Sequence, residues 1–157
     1  MTARIEPATT PEDVALARGL FREYEKSIGV SLCFQDFAEE VARLPGAYAP
    51  PDGRLLLAWQ GDGLAGCVAL RRIGDGVAEL KRLYVRLAFR GTGLGRKLAT
   101  AALEEATAIG YHTVRLDTLA TMREAQALYL SMGFREIPAY NEHPVEGTRF
   151  LEKRIPG

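Results

Sequence analysis

The segment Arg90-Gly91-Thr92-Gly93-Leu94-Gly95-Arg96-Lys97 constrains this chain more than any other. It lies between a strand-like pattern over residues 77–86 and an alanine-rich helical pattern running to about residue 109. Glycines at alternate positions let a backbone approach a ligand closely and aim several N–H groups at one point. At a helix N-terminus the orphan donors and the dipole both favour an anion. Arg90, Arg96 and Lys97 add positive charge there. Basic residues in a first helical turn oppose the dipole by a few tenths of a kcal/mol each, a penalty that a bound polyphosphate reverses. A flexible turn with solvated basic side chains is the plainer alternative. Gly110 ends the helical pattern and residues 112–118 form the next strand pattern, so strand, helix and strand predict a parallel crossover.

The flanking sequence sets the fold class. Thr10 caps a first helix, with Pro11 at its first position and Glu12 and Asp13 facing the dipole; Gly29 stops it. A second helical pattern carries Phe34, Phe37, Val41 and Leu44 before Pro45-Gly46, and residues 47–53 read as a loop. Residues 54–60, 64–72 and 77–86 are strands joined by Gly-Asp-Gly turns, an antiparallel meander. Thr121 and Glu124 have the spacing of a capping box before a helix with Ala125, Leu128, Tyr129 and Met132 on one face, stopped by Gly133. Residues 134–137 and 147–155 complete the strand pattern. The prediction is an α+β fold: one domain over residues 1–157, a mostly antiparallel mixed sheet with one parallel helical crossover, and helices on both sides.

Composition narrows the function. Lys+Arg and Asp+Glu both number 20, so the net charge is zero and a nucleic-acid partner is not expected. Cys33 and Cys67 lie far apart outside any Cys/His cluster, which argues against a structural zinc site and for two buried thiols rather than a disulfide. The first residues lack the apolar stretch of a signal peptide, and no apolar run approaches the ~20 residues of a membrane span. A soluble, cytoplasmic protein without a membrane partner is the expectation.

Two phosphate-binding patterns fail on the glycine segment. A P-loop needs Gly-Lys-Ser/Thr, and Gly95 precedes Arg96-Lys97-Leu98. The dinucleotide fingerprint lacks its third glycine at Arg96, although Asp117 sits about where a ribose-binding acid would.

Leu83-Tyr84-Val85 followed by Arg90-Gly91-Thr92-Gly93-Leu94-Gly95 resembles the R/Q-x-x-G-x-G/A acyl-CoA motif of the GNAT N-acetyltransferases. Ala125, Tyr129 and Gly133-Phe134 are similar to that family's A-x-x-x-Y-x-x-x-G-F signature. The resemblance covers roughly residues 55–155. It implies acetyl-CoA as co-substrate, with Gly91, Thr92, Gly93, Leu94, Gly95, Arg90 and Arg96 at its pyrophosphate and Leu83, Tyr84 and Val85 along its pantetheine arm. It implies no metal. Where the family often has Asn, seven residues before the tyrosine, this chain has Met122.

Acetyl transfer to an amine poses two proton problems. An alkylamine of pKa near 10.4 is neutral at pH 7 only to about one part in a few thousand, so a base is needed. The departing thiolate then benefits from a proton. Glu79, inside a strand with Lys81, Leu83 and Val85 expected on its face, is the candidate base if burial raises its pKa. A salt bridge to Lys81 is the competing reading. Tyr129 is a core tyrosine by pattern, and the resemblance makes it the candidate general acid. His112 and His143 are weaker bases, and Cys67 reads as core. Glu136, Glu142 and Glu146 cluster with Tyr140 near the end of the chain, which suits a small cationic amine acceptor as well as it suits a solvated loop. A non-catalytic acyl-CoA sensor is the alternative to an enzyme, and family analogy suggests a homodimer through the C-terminal strands.

Overall fold

The computed structural model describes residues 3–29, 36–142 and 145–156; Cys33, Phe34 and His143 lie outside them. In chain order the elements are β1 (Ala3–Pro7), α1 (Pro11–Ile28), α2 (Phe37–Ala42), β2 (Arg54–Gln60), β3 (Gly63–Gly74), β4 (Val77–Val85), α3 (Leu94–Ile109), β5 (Thr113–Thr118), α4 (Arg123–Ser131), β6 (Arg135–Ile137) and β7 (Arg149–Arg154). The strands make one sheet in the order β1-β2-β3-β4-β5-β7-β6. Every neighbouring pair is antiparallel except β4 and β5, which run parallel and are joined through α3. The expected α+β architecture with its single crossover is what the chain adopts.

β1 was not anticipated. Arg4 and Glu6 alternate with Ala3 and Ile5 on this short edge strand, too little apolar signal to declare itself without β2 beside it. α1 begins as expected: the Thr10 hydroxyl accepts from the Asp13 amide at 3.1 Å, and Gly29 closes the helix in the left-handed region. α4 does not. Met122 is its N-cap and no side chain caps it, so the expected Thr121–Glu124 capping box is not formed. The helix starts one residue too late for Thr121 to reach the right amide.

The sheet is buried on both faces. Leu56, Val68, Leu70, Leu80, Val114 and Leu116 pack against Leu94, Leu98, Ala102 and Tyr129 of α3 and α4. Leu55, Leu57, Cys67 and Ala69 pack on the opposite face against Leu20, Phe21, Phe37 and Val41 of α1 and α2. Each large apolar side chain so buried contributes about 1.5–3 kcal/mol of transfer free energy.

One irregularity in β4 decides which residues face the site. Arg82 has φ +60°, and the β3–β4 register steps from Ala69↔Lys81 to Cys67↔Tyr84, so one extra residue is accommodated on β4. Beyond this bulge the alternation is reversed. Glu79, Lys81 and Tyr84 share the α1/α2 face, whereas Leu83 and Val85 join Ala78 and Leu80 on the α3/α4 face. The expectation that Leu83 and Val85 lie on the face of Glu79 is therefore corrected. A strict period of two cannot anticipate a left-handed arginine. The Cys67 thiol, fully buried, donates to the Arg82 carbonyl at 3.3 Å and helps hold the bulge.

Candidate active site

β4 and β5 pair only at Val77↔Thr113, Ala78↔Val114 and Glu79↔Arg115, then separate. Their unpaired ends open a cleft beside the glycine segment. Gly91 and Gly93 have φ of +82° and +79°, a conformation that L side chains rarely adopt, and Gly93 is the N-cap of α3. The first intrahelical bond runs from Lys97 N to Gly93 O at 3.2 Å, which leaves the preceding amides free for a ligand. A Cβ built at Gly91 or Gly93 meets no atom within 4 Å, so this surface is open to an approaching phosphate. Arg90 and the three glycines line a cavity of about 340 Å³ with Leu83, Val85 and Arg96. It shares Leu83, Val85, Arg90, Glu124 and Ala125 with a neighbouring cavity of about 620 Å³ that also reaches Tyr84 and Met122. Of the residues implied for coenzyme A, all but Thr92 line these two adjoining cavities, and an open cradle of amides with flanking arginines fits a pyrophosphate.

Several of those residues are engaged with the protein itself, among them the Tyr84 hydroxyl, which donates to Glu23 at 3.2 Å, and the Thr92 hydroxyl, which donates to the Phe89 carbonyl at 2.9 Å. The Arg90 Nε donates to the Val85 carbonyl at 2.8 Å, with its guanidinium 6.0 Å from the centre of the Tyr84 ring. Arg96 donates to the Ser131 hydroxyl at 2.5 Å. Another cavity, about 670 Å³, lies elsewhere, between the start of α1 and the proline-rich turn near Tyr48. Arg18 and Arg54 are its charged lining residues, and it has no cluster of groups suited to acyl transfer.

At the floor of the cleft a small cavity of about 20 Å³ is lined by Lys81, Leu83, Asp117, Thr118, Met122 and Tyr129, among others. Tyr129 is buried, its ring centre 5.6 Å from that of Phe134. Burial pushes its phenol pKa up, so it keeps its proton throughout the neutral range. Asp117 Oδ2 and Thr118 Oγ1 are buried there with no hydrogen-bond partner among the described residues. Sequence reasoning weighed Asp117 only against a ribose and missed Thr118. A polar pair ending a strand at the mouth of a crossover was the available signal.

Glu79 is 1% exposed. Its Oε1 accepts from Arg71 Nε and Nη2, both at 2.8 Å, with Lys81 Nζ at 3.8 Å; its Oε2 accepts from the Tyr140 hydroxyl at 2.6 Å. Burial raises its pKa, but the charges of Lys81 and Arg71 and the bonds from Tyr140 and Arg71 outweigh burial and hold the carboxyl below the usual 4.5. The expected upward shift is therefore corrected. Arg71, directly opposite in the β3–β4 register, is the partner that sequence reasoning did not see. Lys81 is also buried, and burial depresses its pKa against the pull of Glu79. His112 is exposed and precedes β5 at the end away from the cleft, with Nδ1 2.8 Å from the Thr113 hydroxyl. Glu136, Glu142 and Glu146 are all exposed, and Glu136 pairs with Arg149. Of the C-terminal cluster only Tyr140 turns inward.

The chain that builds this groove is similar to known proteins in sequence and fold. The sequence pattern described as the acetyltransferase (GNAT) family matches residues 17–134. The chain belongs to the GNAT family. An uncharacterized N-acetyltransferase of Schizosaccharomyces pombe is 36% identical over 149 residues, 94% of this chain and 91% of that protein. The N-acetylaspartate synthetase of Danio rerio is 31% identical over 137 residues, 84% of this chain and 49% of that protein. Among solved structures, a Bacillus subtilis acetyltransferase in complex with CoA superimposes with a TM-score of 0.69 at 22% identity, covering 98% of this chain and 99% of that one. This GNAT chain is accordingly an N-acetyltransferase. Among its described residues no helix is long and apolar enough to cross a membrane, and no group of three or more His, Cys, Asp or Glu side chains is placed to hold a metal ion.

Proposed function

We propose that this N-acetyltransferase moves an acetyl group directly from acetyl-CoA to the primary amine of a small-molecule acceptor. The observation that carries the reading is the parting of β4 and β5: the open glycine cradle and the protonated Tyr129 line the cavities beside it, and the ionised Glu79 stands at the last paired position before it. Acetyl-CoA supplies the thioester. Gly91, Thr92, Gly93, Leu94 and Gly95 present backbone donors to its pyrophosphate, with Arg90 and Arg96 adding charge. Leu83, Tyr84 and Val85 border its pantetheine arm, and the Val85 carbonyl becomes available when Arg90 turns toward the phosphates. Tyr129 gives its proton to the leaving sulfur, a role suited to a phenol that does not ionise at rest. Glu79 is the proposed acceptor of the amine proton; it is ionised at neutral pH, and the charges that lower its pKa make it a weaker base than burial alone would.

The relative named N-acetylaspartate synthetase supports an amino acid as the type of acceptor. Arg115 lies beside Glu79 in the β4–β5 register; Glu152 holds its Nε at 2.9 Å, and its terminal nitrogens are suited to an acceptor carboxylate. A cytoplasmic setting belongs to the same reading, as does a homodimer through the C-terminal strands. Thiol release from acetyl-CoA, measured against amino acids, their decarboxylated amines and peptides, tests the proposal. Release with amino acids but not with the decarboxylated amines is the expected result. Release only with peptides would replace the small-molecule acceptor with a protein terminus or side chain.

A further inference from the structure

Glu79 is too deeply buried for an acceptor amine to reach, and both of its oxygens are occupied. Oε1 is held by Arg71 at 2.8 Å, with Lys81 Nζ 3.8 Å away. Oε2 is covered by Tyr140, a half-buried residue of the loop between β6 and β7. The Tyr140 ring is fixed on two sides: its centre lies 5.2 Å from that of Phe150 in an edge contact, and the Arg115 guanidinium stands 5.7 Å away over its face. The phenol is thus held at one end of an Arg71–Glu79–Tyr140 chain, with the partly exposed Arg71 at the other, and its oxygen retains lone pairs to accept an N–H.

We infer that Tyr140 is a further catalytic residue, a proton relay through which the acceptor amine reaches Glu79. The inference rests on the proposed base role of Glu79. As the ammonium loses a proton, the N–H proton passes to the Tyr140 oxygen while the Tyr140 proton passes to Glu79 Oε2, so the phenol ends neutral. The amine nitrogen then forms its bond to the thioester carbon and the carbon–sulfur bond breaks. Sulfur takes the Tyr129 proton, and the second proton leaving nitrogen restores Tyr129. The third stays on the amide. Glu79 returns its proton to solvent by the reverse path through Tyr140, so the reaction releases one proton overall.

A concerted relay suits a phenol whose own ionisation is strongly opposed. Burial and then the neighbouring Glu79 charge push the Tyr140 pKa up. The groups facing Glu79 are Arg71 from β3, Lys81 from β4, Arg115 from β5, Tyr140 and Tyr48; Glu40 of α2 is engaged by Arg82.

The test compares Tyr140→Phe, Glu79→Gln and the double variant by kcat, KM for acetyl-CoA and the pH dependence of kcat/KM, with thermal unfolding as a check on folding. Phenylalanine keeps the ring contacts with Phe150 and Arg115. The expected result for Tyr140→Phe is a kcat lower by about 100-fold, an unchanged KM for acetyl-CoA and an acidic limb moved to higher pH, because Glu79 loses a bond that favours its charged form. The double variant is expected to be no slower than the slower single variant, as two groups in one relay demand. Wild-type kcat and pH profile in Tyr140→Phe, with Glu79→Gln inactive, would overturn the relay and leave Glu79 as base. Multiplying losses in the double variant would also overturn it. Wild-type behaviour in Glu79→Gln would remove the base assignment and the relay together.

Discussion

Arg82 grips Glu40 with two hydrogen bonds of 2.9 Å, Nε to Oε2 and Nη2 to Oε1, tying the bulge of β4 to α2 across 42 residues of chain. The Arg82 side chain is 3% exposed, and its guanidinium also lies 5.1 Å from the centre of the Phe37 ring. A left-handed arginine is an unfavourable conformation for an L-residue. It persists where the surroundings determine it, and here a buried ion pair, a ring face and the Cys67 thiol all do so.

Arg82→Ala is expected to destabilise the protein by about 3–5 kcal/mol, because it leaves the Glu40 carboxylate without its partner in a partly buried site. Urea unfolding measures this. A loss below about 1 kcal/mol would mean that the bulge is held by the backbone alone.

Gly93→Val should abolish acetyl-CoA binding while leaving the fold in place. The added side chain meets no protein atom, so the damage falls on the φ of +79° and on the open face of the cradle. Calorimetric titration with acetyl-CoA, beside a thermal melt, separates the two effects. Unchanged affinity would move the pyrophosphate site elsewhere.

Tyr129→Phe is expected to lower kcat by about 100-fold with little change in melting temperature, since the ring and its packing on Phe134 remain. The opposite pattern, a marked loss of stability with normal turnover, would make Tyr129 a core residue only.

Glu79 links folding to acid pH. Its folded pKa lies below the usual 4.5, so the stability supplied by the ionised carboxylate is complete above the unfolded value and is lost as pH falls through the folded one. Glu79→Gln should therefore flatten the acid side of the stability–pH curve. Urea midpoints between about pH 3 and pH 7 test this; an unaltered slope would show that the Arg71 and Tyr140 contacts do not hold in solution.

The helix starts, turns and strands were legible wherever the signal was local. Thr10 and Gly29 bracket α1, the Gly-Asp-Gly turns bound the meander, and the glycine segment opens α3. Met122 shows the limit: a capping spacing at Thr121 and Glu124 was present, yet the helix began one residue later. β1 carried too few apolar residues to be seen alone. The members of the candidate site were partly legible in the same way. Tyr129 and the glycines stand in a spaced motif, and Glu79 is conspicuous as a carboxylate in a strand.

The order of turns and hydrophobic periods by itself determined the α+β class, the crossover through α3 and the position of the glycine segment at the start of that helix, because each depends on residues close together in the chain. The environment of Glu79 was decided only in three dimensions. Arg71 lies eight residues before it in the chain and Tyr140 61 residues after it. The bulge at Arg82 turned Leu83 and Val85 to the other face, held from α2 and from Cys67. Burial alone would raise the Glu79 pKa; the charges and hydrogen bonds gathered by folding reverse that sign, and no local reading of the strand contains them.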